Sequence, residues 1–209
     1  MSEAQRSASP RPFSGTPVVG SSYWMVPVLR AIPAVVVGLV ITFMEDHSPH
    51  VGLIAFGAFA IVSGLVLLVG ALRTVLDQVV RGVALGQGVI SVVAGGAAVA
   101  LWGSSIGVLL FIVTSYAALT GVLELYAGIR SKGATPARDW VTVGAYTAIA
   151  AIVFVLIPPD SILTTGLIGA YAIILGVFLL IAGLSLKWAP AAPGTTSADP
   201  SAVEGKVSS

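Results

Sequence analysis

The chain contains no cysteine. Disulfides, thiolate chemistry and cysteine-held metals are therefore excluded, and the redox compartment leaves no trace. Charge is nearly as scarce. Of 209 residues, 9% are Asp, Glu, Lys or Arg, whereas 56% are hydrophobic. A soluble domain carries roughly 25% charged residues. So little charge cannot coat a water-facing surface, which argues against a soluble globular enzyme. The same hydrophobicity excludes disorder for the bulk of the chain. A net charge of +1 supplies no basic face, so no nucleic-acid partner is expected. There are only two histidines, His47 and His50. No phosphate loop, no Ser/His/Asp set and no H-E-x-x-H pattern occurs, and no cofactor or catalytic residue is expected. What remains is an integral membrane protein whose first partner is the lipid bilayer.

Six continuous apolar stretches are present, at about 26–44, 51–72, 82–102, 106–129, 140–157 and 162–186. Each can cross roughly 30 Å of hydrocarbon as a helix. A helix satisfies its own backbone in lipid, and transmembrane strands would alternate instead of running continuously. The expected fold is all-α with six transmembrane helices over residues 23–188. Residues 1–22 and 189–209 are rich in Ser, Pro, Gly, Ala and Thr and read as disordered tails. The first is too polar for a signal peptide and is followed by no A-x-A-like cleavage site.

The connectors alternate in charge. Glu45–His50, Gly103–Ser105 and Pro158–Ser161 hold no Lys or Arg. All ten basic residues fall on the other side: Arg6, Arg11, Arg30, Arg73, Arg81, Arg130, Lys132, Arg138, Lys187 and Lys206. Loops rich in Lys and Arg stay in the cytoplasm. Both termini are thus expected in the cytoplasm of a bacterial inner-membrane protein. Trp24, Trp102, Trp140 and Trp188 sit at span ends, where indole anchors at the headgroup boundary.

The spans form three hairpins that resemble one another. Gly57-Ala-Phe-Ala-Ile-Val-Ser-Gly64 aligns with Thr114-Ser-Tyr-Ala-Ala-Leu-Thr-Gly121 and with Gly169-Ala-Tyr-Ala-Ile-Ile-Leu-Gly176. The first two hairpins are offset by 57 residues, the third by 55 or 56. Each repeat begins and ends on one side, so the repeats run parallel and predict a pseudo-threefold axis along the membrane normal. Inverted repeats, a common transporter plan, are absent. The pairs Ala60/Gly64, Ala117/Gly121 and Ala172/Gly176 have small-xxx-small spacing, which lets a neighbouring helix approach closely. They read as helix-packing residues; Tyr116 and Tyr171 could instead line a lipid or ligand groove.

This layout, the offset and the repeated second-helix motif resemble the HdeD acid-resistance family of short-repeat membrane proteins. Arg81-Gly82 and Ile157-Pro158 match steps common in that family. Hairpin 1 departs from it, with the polar Glu45–His50 segment in place of the apolar-Pro step. The resemblance implies a bacterial inner-membrane protein linked to survival of acid stress. It brings no catalytic residue and no transported substrate.

Few polar residues stand out against this apolar background. Glu124 is the only acid within a span, and its repeat equivalents are Leu67 and Leu179. It lies about 9 Å of helix rise from Arg130, so it can reach headgroups, pair with Arg73, Arg81 or Arg130, or handle a proton. Arg30 can snorkel to the inner headgroups or form an intramembrane charge pair with Glu124. Gln87 occupies the position of Arg30 in hairpin 2 and is expected to bond across helices. His47 and His50 share a loop with Glu45 and Asp46. Imidazole changes charge near pH 6.5, which makes the two histidines candidate pH sensors; the bland reading is a polar turn, and a weak divalent-metal site is a third. Two function classes compete with a non-enzymatic stress protein that contacts lipid, other membrane proteins or itself. A small solute or proton transporter needs a repeated polar stripe, and the spans offer only single polar positions such as Ser63, Thr114, Ser115 and Thr120. A lipid enzyme needs an interfacial cluster, and only the Glu45–His50 loop offers that.

Overall fold

The outer surface of this protein is oily. Phe111, Val155, Leu156, Val93 and Ile149 are all more than half exposed, an arrangement that water would penalise and lipid does not. The computed structural model describes residues 22–74, 76–131 and 136–188. They form α1 (Met25–Phe43), α2 (Pro49–Arg73), α3 (Gln78–Ala100), α4 (Ile106–Arg130), α5 (Ala137–Leu156) and α6 (Ser161–Trp188). All six are long and apolar enough to cross a membrane. The two expected tails lie outside the described residues, apart from Ser22.

Local chemistry sets the helix ends. Pro49 opens α2 at a first-turn position, where its missing N–H costs nothing. The Asp77 carboxylate caps α3 by accepting from the Val79 N–H at 3.1 Å. The Asp160 carboxylate accepts from the Leu163 N–H at 2.7 Å and caps α6. The Asp77 cap brings the polar Gln78 and Arg81 into α3. Gln78–Arg81 and Ala137–Asp139 are helical although they precede the apolar runs.

Long-range contacts fix which ends lie together. At the basic end, Arg81 Nε donates to the Ala71 carbonyl at 3.0 Å. There too, Lys187 Nζ lies 4.7 Å from the centre of the Trp24 ring, and Tyr23 meets Trp140 edge-on at 6.1 Å. Arg73 and Arg130 close α2 and α4 at this end, and Arg138 stands in the first turn of α5. Arg6, Arg11, Lys132 and Lys206 lie outside the described residues. At the opposite end, His50 Nδ1 bonds the Trp102 carbonyl at 2.7 Å.

The sequence repeat is a hairpin, but the tightest packing joins different hairpins. The most extensive helix pairs are α2 with α3, α4 with α5, and α6 with α1. Glycine explains the closeness. A β-carbon on Gly64 would lie 2.8 Å from the Gly88 carbonyl oxygen, and one on Gly121 2.8 Å from the Ala148 nitrogen. One on Gly176 would lie 2.6 Å from Val35 Cγ2 and 3.2 Å from the Ala31 carbonyl. Burial follows the repeat offset. Phe59, Tyr116 and Tyr171 are buried, as are Ala60, Ala117 and Ala172, and Ile41, Ala98 and Phe154.

The aromatic level lies mid-bundle. Tyr116 meets Phe56 edge-on at 5.2 Å and Phe59 at 6.5 Å. Tyr171 instead stacks on Tyr146 at 5.4 Å, and its hydroxyl lies 3.1 Å from Thr147 Oγ1. Between these rings, Phe154 and Ile168 is a void of about 10 Å³. An apolar void of this size stays dry.

Candidate functional site

Glu124 projects from the last third of α4, where α5 comes closest. A β-carbon on Gly144 would lie 3.0 Å from Glu124 Cβ, so the glycine makes room for the acid's stem. From α3, Gln87 Nε2 donates to Glu124 Oε1 at 2.6 Å. From α1, Arg30 Nη2 reaches the same oxygen at 3.6 Å. Three helices thus converge on one carboxylate. The residual exposures are 7% for Arg30, 4% for Gln87 and 6% for Glu124, so all three groups have lost their water.

Desolvation on this scale costs several kcal/mol per ion. The ion pair and the amide bond offset part of that. At 3.6 Å the pair is Coulombic, since a hydrogen bond needs a closer approach. Arg30 Nε is buried and has no hydrogen-bond partner among the described residues. The guanidinium therefore carries spare donor capacity. Beside it is a cavity of about 30 Å³ where α1, α5 and α6 meet. Tyr23, Asp139, Trp140, Leu179 and Leu186 help to line it. That volume holds one or two waters.

Two other polar residues of the core bond to carbonyls of their own helices. Ser91 Oγ donates to the Gln87 carbonyl at 2.7 Å, and Thr120 Oγ1 to the Tyr116 carbonyl at 2.7 Å. Ser63, Thr164 and Thr165 hydroxyls are buried without a partner among the described residues. They do not join the cluster into a continuous polar stripe, and the dry aromatic level lies mid-bundle.

The two histidines stand at the other end and do not face one another. His47 Nδ1 lies 3.2 Å from the Glu45 carbonyl within its own loop. His50 ties the start of α2 to the α3–α4 turn and lies against Trp102, ring centres 5.8 Å apart. Asp46 is engaged by Ser48, whose backbone N–H donates to it at 2.8 Å. Among the described residues, no three His or carboxylate groups converge as metal ligands.

Ala60, Ala117 and Ala172, with Gly64, Gly121 and Gly176, are all buried, and the three glycines face α3, α5 and α1. Sequence reasoning missed their partners, Gly88 and Gly144. It also left Tyr23 and Asp139 unremarked. The signal was available for the glycines, since Ala31, Gly88 and Gly144 share one repeat position.

Residues 86–157, about a third of the chain, match the family model described as a short repeat of unknown function (DUF308). No curated protein and no solved structure matches the chain. The matched segment contains Gln87, Glu124 and Gly144 but not Arg30. Residues 86–157 are thus similar to the DUF308 short-repeat family, the family that includes the HdeD-type membrane proteins.

Proposed function

We propose that this is a non-enzymatic protein of a bacterial inner membrane that supports the cell envelope under acid stress. The short-repeat match over residues 86–157 carries this reading. The placement of basic residues supports cytoplasmic termini, since described arginines close α2 and α4 at one end. The parallel pseudo-threefold plan is supported by the equivalent burial of the repeated Ala and Gly positions and by the three glycine seams. Partners are lipid and, through the small-residue faces, other membrane proteins or a second copy. His47 and His50 are the pH-sensing candidates at the opposite, non-cytoplasmic end. Each presents Nδ1 to a carbonyl oxygen.

A small transporter or channel is the second reading. The buried Arg30–Glu124 pair beside a cavity favours it, because intramembrane charges often mark pathways. The dry aromatic level opposes it. One experiment separates the two. The gene is deleted in its source organism, and survivors of an acid challenge are counted at matched high cell density. Survival should fall in the deletion strain and return with the intact gene. Restoration with the His47→Gln/His50→Gln variant should be partial. Unchanged survival in the deletion strain removes the stress reading and makes solute flux in proteoliposomes the leading question.

A further inference from the structure

The cavity beside Arg30 combines features that a hydrated void does not require. Arg30 lines it and is buried, yet its Nε has no partner among the described residues. The Asp139 carboxylate, in the first turn of α5, lines the same space and is only partly buried. Tyr23 and Trp140 meet edge-on at the cavity, at the level where these spans begin. Leu179 and Leu186 supply an apolar wall. The α5–α6 pairing is also much less extensive than α1–α2 or α3–α4, so hairpin 3 is the open one.

We propose that this cavity is the inner end of a binding site for the phosphoethanolamine group of a zwitterionic phospholipid. Charge, size and depth all select this ligand. Arg30, Glu124 and Asp139 together carry one positive and two negative charges. A phosphate alone would add a further negative charge to a desolvated site. A phosphate joined to a primary ammonium adds none. The guanidinium has free donors for a phosphate oxygen. Asp139 accepts from the ammonium, whose N–H groups a trimethylated headgroup lacks. The aromatic pair favours a cation at its ring faces. The cavity of about 30 Å³ is too small for a whole headgroup. One phosphate oxygen enters it, and the rest of the headgroup sits at the mouth. Tyr23 and Trp140 put that mouth at the headgroup boundary. Arg138, the exposed neighbour of Asp139, is the other described charge on this part of α5. The inference requires a bilayer-spanning chain but not the acid-stress role.

The test is native mass spectrometry of the full-length protein released from detergent micelles. The micelles hold equimolar phosphatidylethanolamine, phosphatidylglycerol and phosphatidylcholine. The ethanolamine lipid should be retained several-fold over the other two. Asp139→Asn should bring its retention down to the choline level. Arg30→Lys should weaken retention of all three. Asp139 is partly exposed, so the Asn variant keeps the test decisive should the Arg30 variant not fold. Equal retention of the three lipids overturns the proposal, as does preference for phosphatidylglycerol or an ethanolamine adduct that Asp139→Asn leaves unchanged. Displacement by free glycerophosphoethanolamine at equal concentration overturns the lipid assignment, because the headgroup alone would then be the ligand.

Discussion

Two levels of the bundle are equally buried but differ in kind. At the aromatic level the repeats agree: Phe59, Tyr116 and Tyr171 are followed by Ala60, Ala117 and Ala172. One level nearer the basic end they disagree. The second helices present Leu67, Glu124 and Leu179, and the first helices Arg30, Gln87 and Val143. All six are buried. Leucine therefore fills the Glu124 position in two of three repeats, and space-filling does not require a carboxylate there. The aromatic level specifies shape, through ring contacts and the glycine seams beside it. The ionic level adds charge to a shape that is already complete. Buried charge is weak evidence for stability, so this is the level where a function beyond packing is to be sought.

The largest expected effect comes from making the two levels alike. Glu124→Leu gives α4 the residue of α2 and α6. It leaves Arg30 buried without its counter-ion and Gln87 without its acceptor. The expected loss is about 3–5 kcal/mol, the range for breaking one side of a buried pair. Adding Arg30→Met should recover much of it, because the unpaired buried charge is then gone and only the Gln87 amide lacks its partner. Reversible unfolding of the purified protein in mixed micelles measures both, and the double-mutant cycle isolates the coupling. A single variant as stable as the parent would mean that Arg30 escapes to water, and the levels would then differ only in composition.

A smaller effect tests the seams that bracket the ionic level. Ala31, Gly88 and Gly144 share one repeat position, and alanine is accommodated in the α1–α6 seam. At Gly144 the new β-carbon would lie 2.6 Å from the Leu125 nitrogen and 3.0 Å from the Gly121 carbonyl oxygen. Both obstacles are backbone, so α4 and α5 must separate. Gly144→Ala should cost about 1–3 kcal/mol, the usual penalty of overpacking. Gly86→Ala, with nothing within 4 Å of its β-carbon, is the control and should be neutral or mildly stabilising. Equal melting temperatures for the two variants would show the three seams to be interchangeable.

Much of this was legible in the residues. Six apolar runs sufficed for six helices, because lipid leaves a continuous hydrophobic segment little alternative. The repeated Ala-x-x-x-Gly positions are buried in all three second helices, as their small-residue spacing predicts. Helix ends were less legible. Gln78–Arg81 and Ala137–Asp139 carry charged or polar residues ahead of the apolar runs, and the Asp77 cap that opens α3 acts outside the hydrophobic signal. The packing partners were least legible. Short connectors suggest hairpins, yet closeness is decided by where glycine faces glycine, and that requires both helices to be read together. Gln87 stood at the Arg30 position in the sequence, but only the crossing of three helices brings both to Glu124.

The smallest effect sharpens the aromatic side of the comparison. Tyr171 carries a hydroxyl that Phe59, its equivalent, lacks. That hydroxyl meets Thr147 Oγ1 at 3.1 Å, while the ring stacks on Tyr146. Tyr171→Phe removes the bond and keeps the stack. Hydrogen bonds between membrane helices are worth about 0.6 kcal/mol on average, because the partners find substitutes when the helices separate. Thr147 can turn its hydroxyl to the preceding turn of its own helix, as Thr120 does with the Tyr116 carbonyl. A loss below about 1 kcal/mol in the same unfolding assay is therefore expected. That result would keep Tyr171 among the residues that set shape. A loss matching that of Glu124→Leu would place it with the ionic cluster instead, as a polar group on which the bundle depends, and the boundary between the two levels would have to be redrawn through α6.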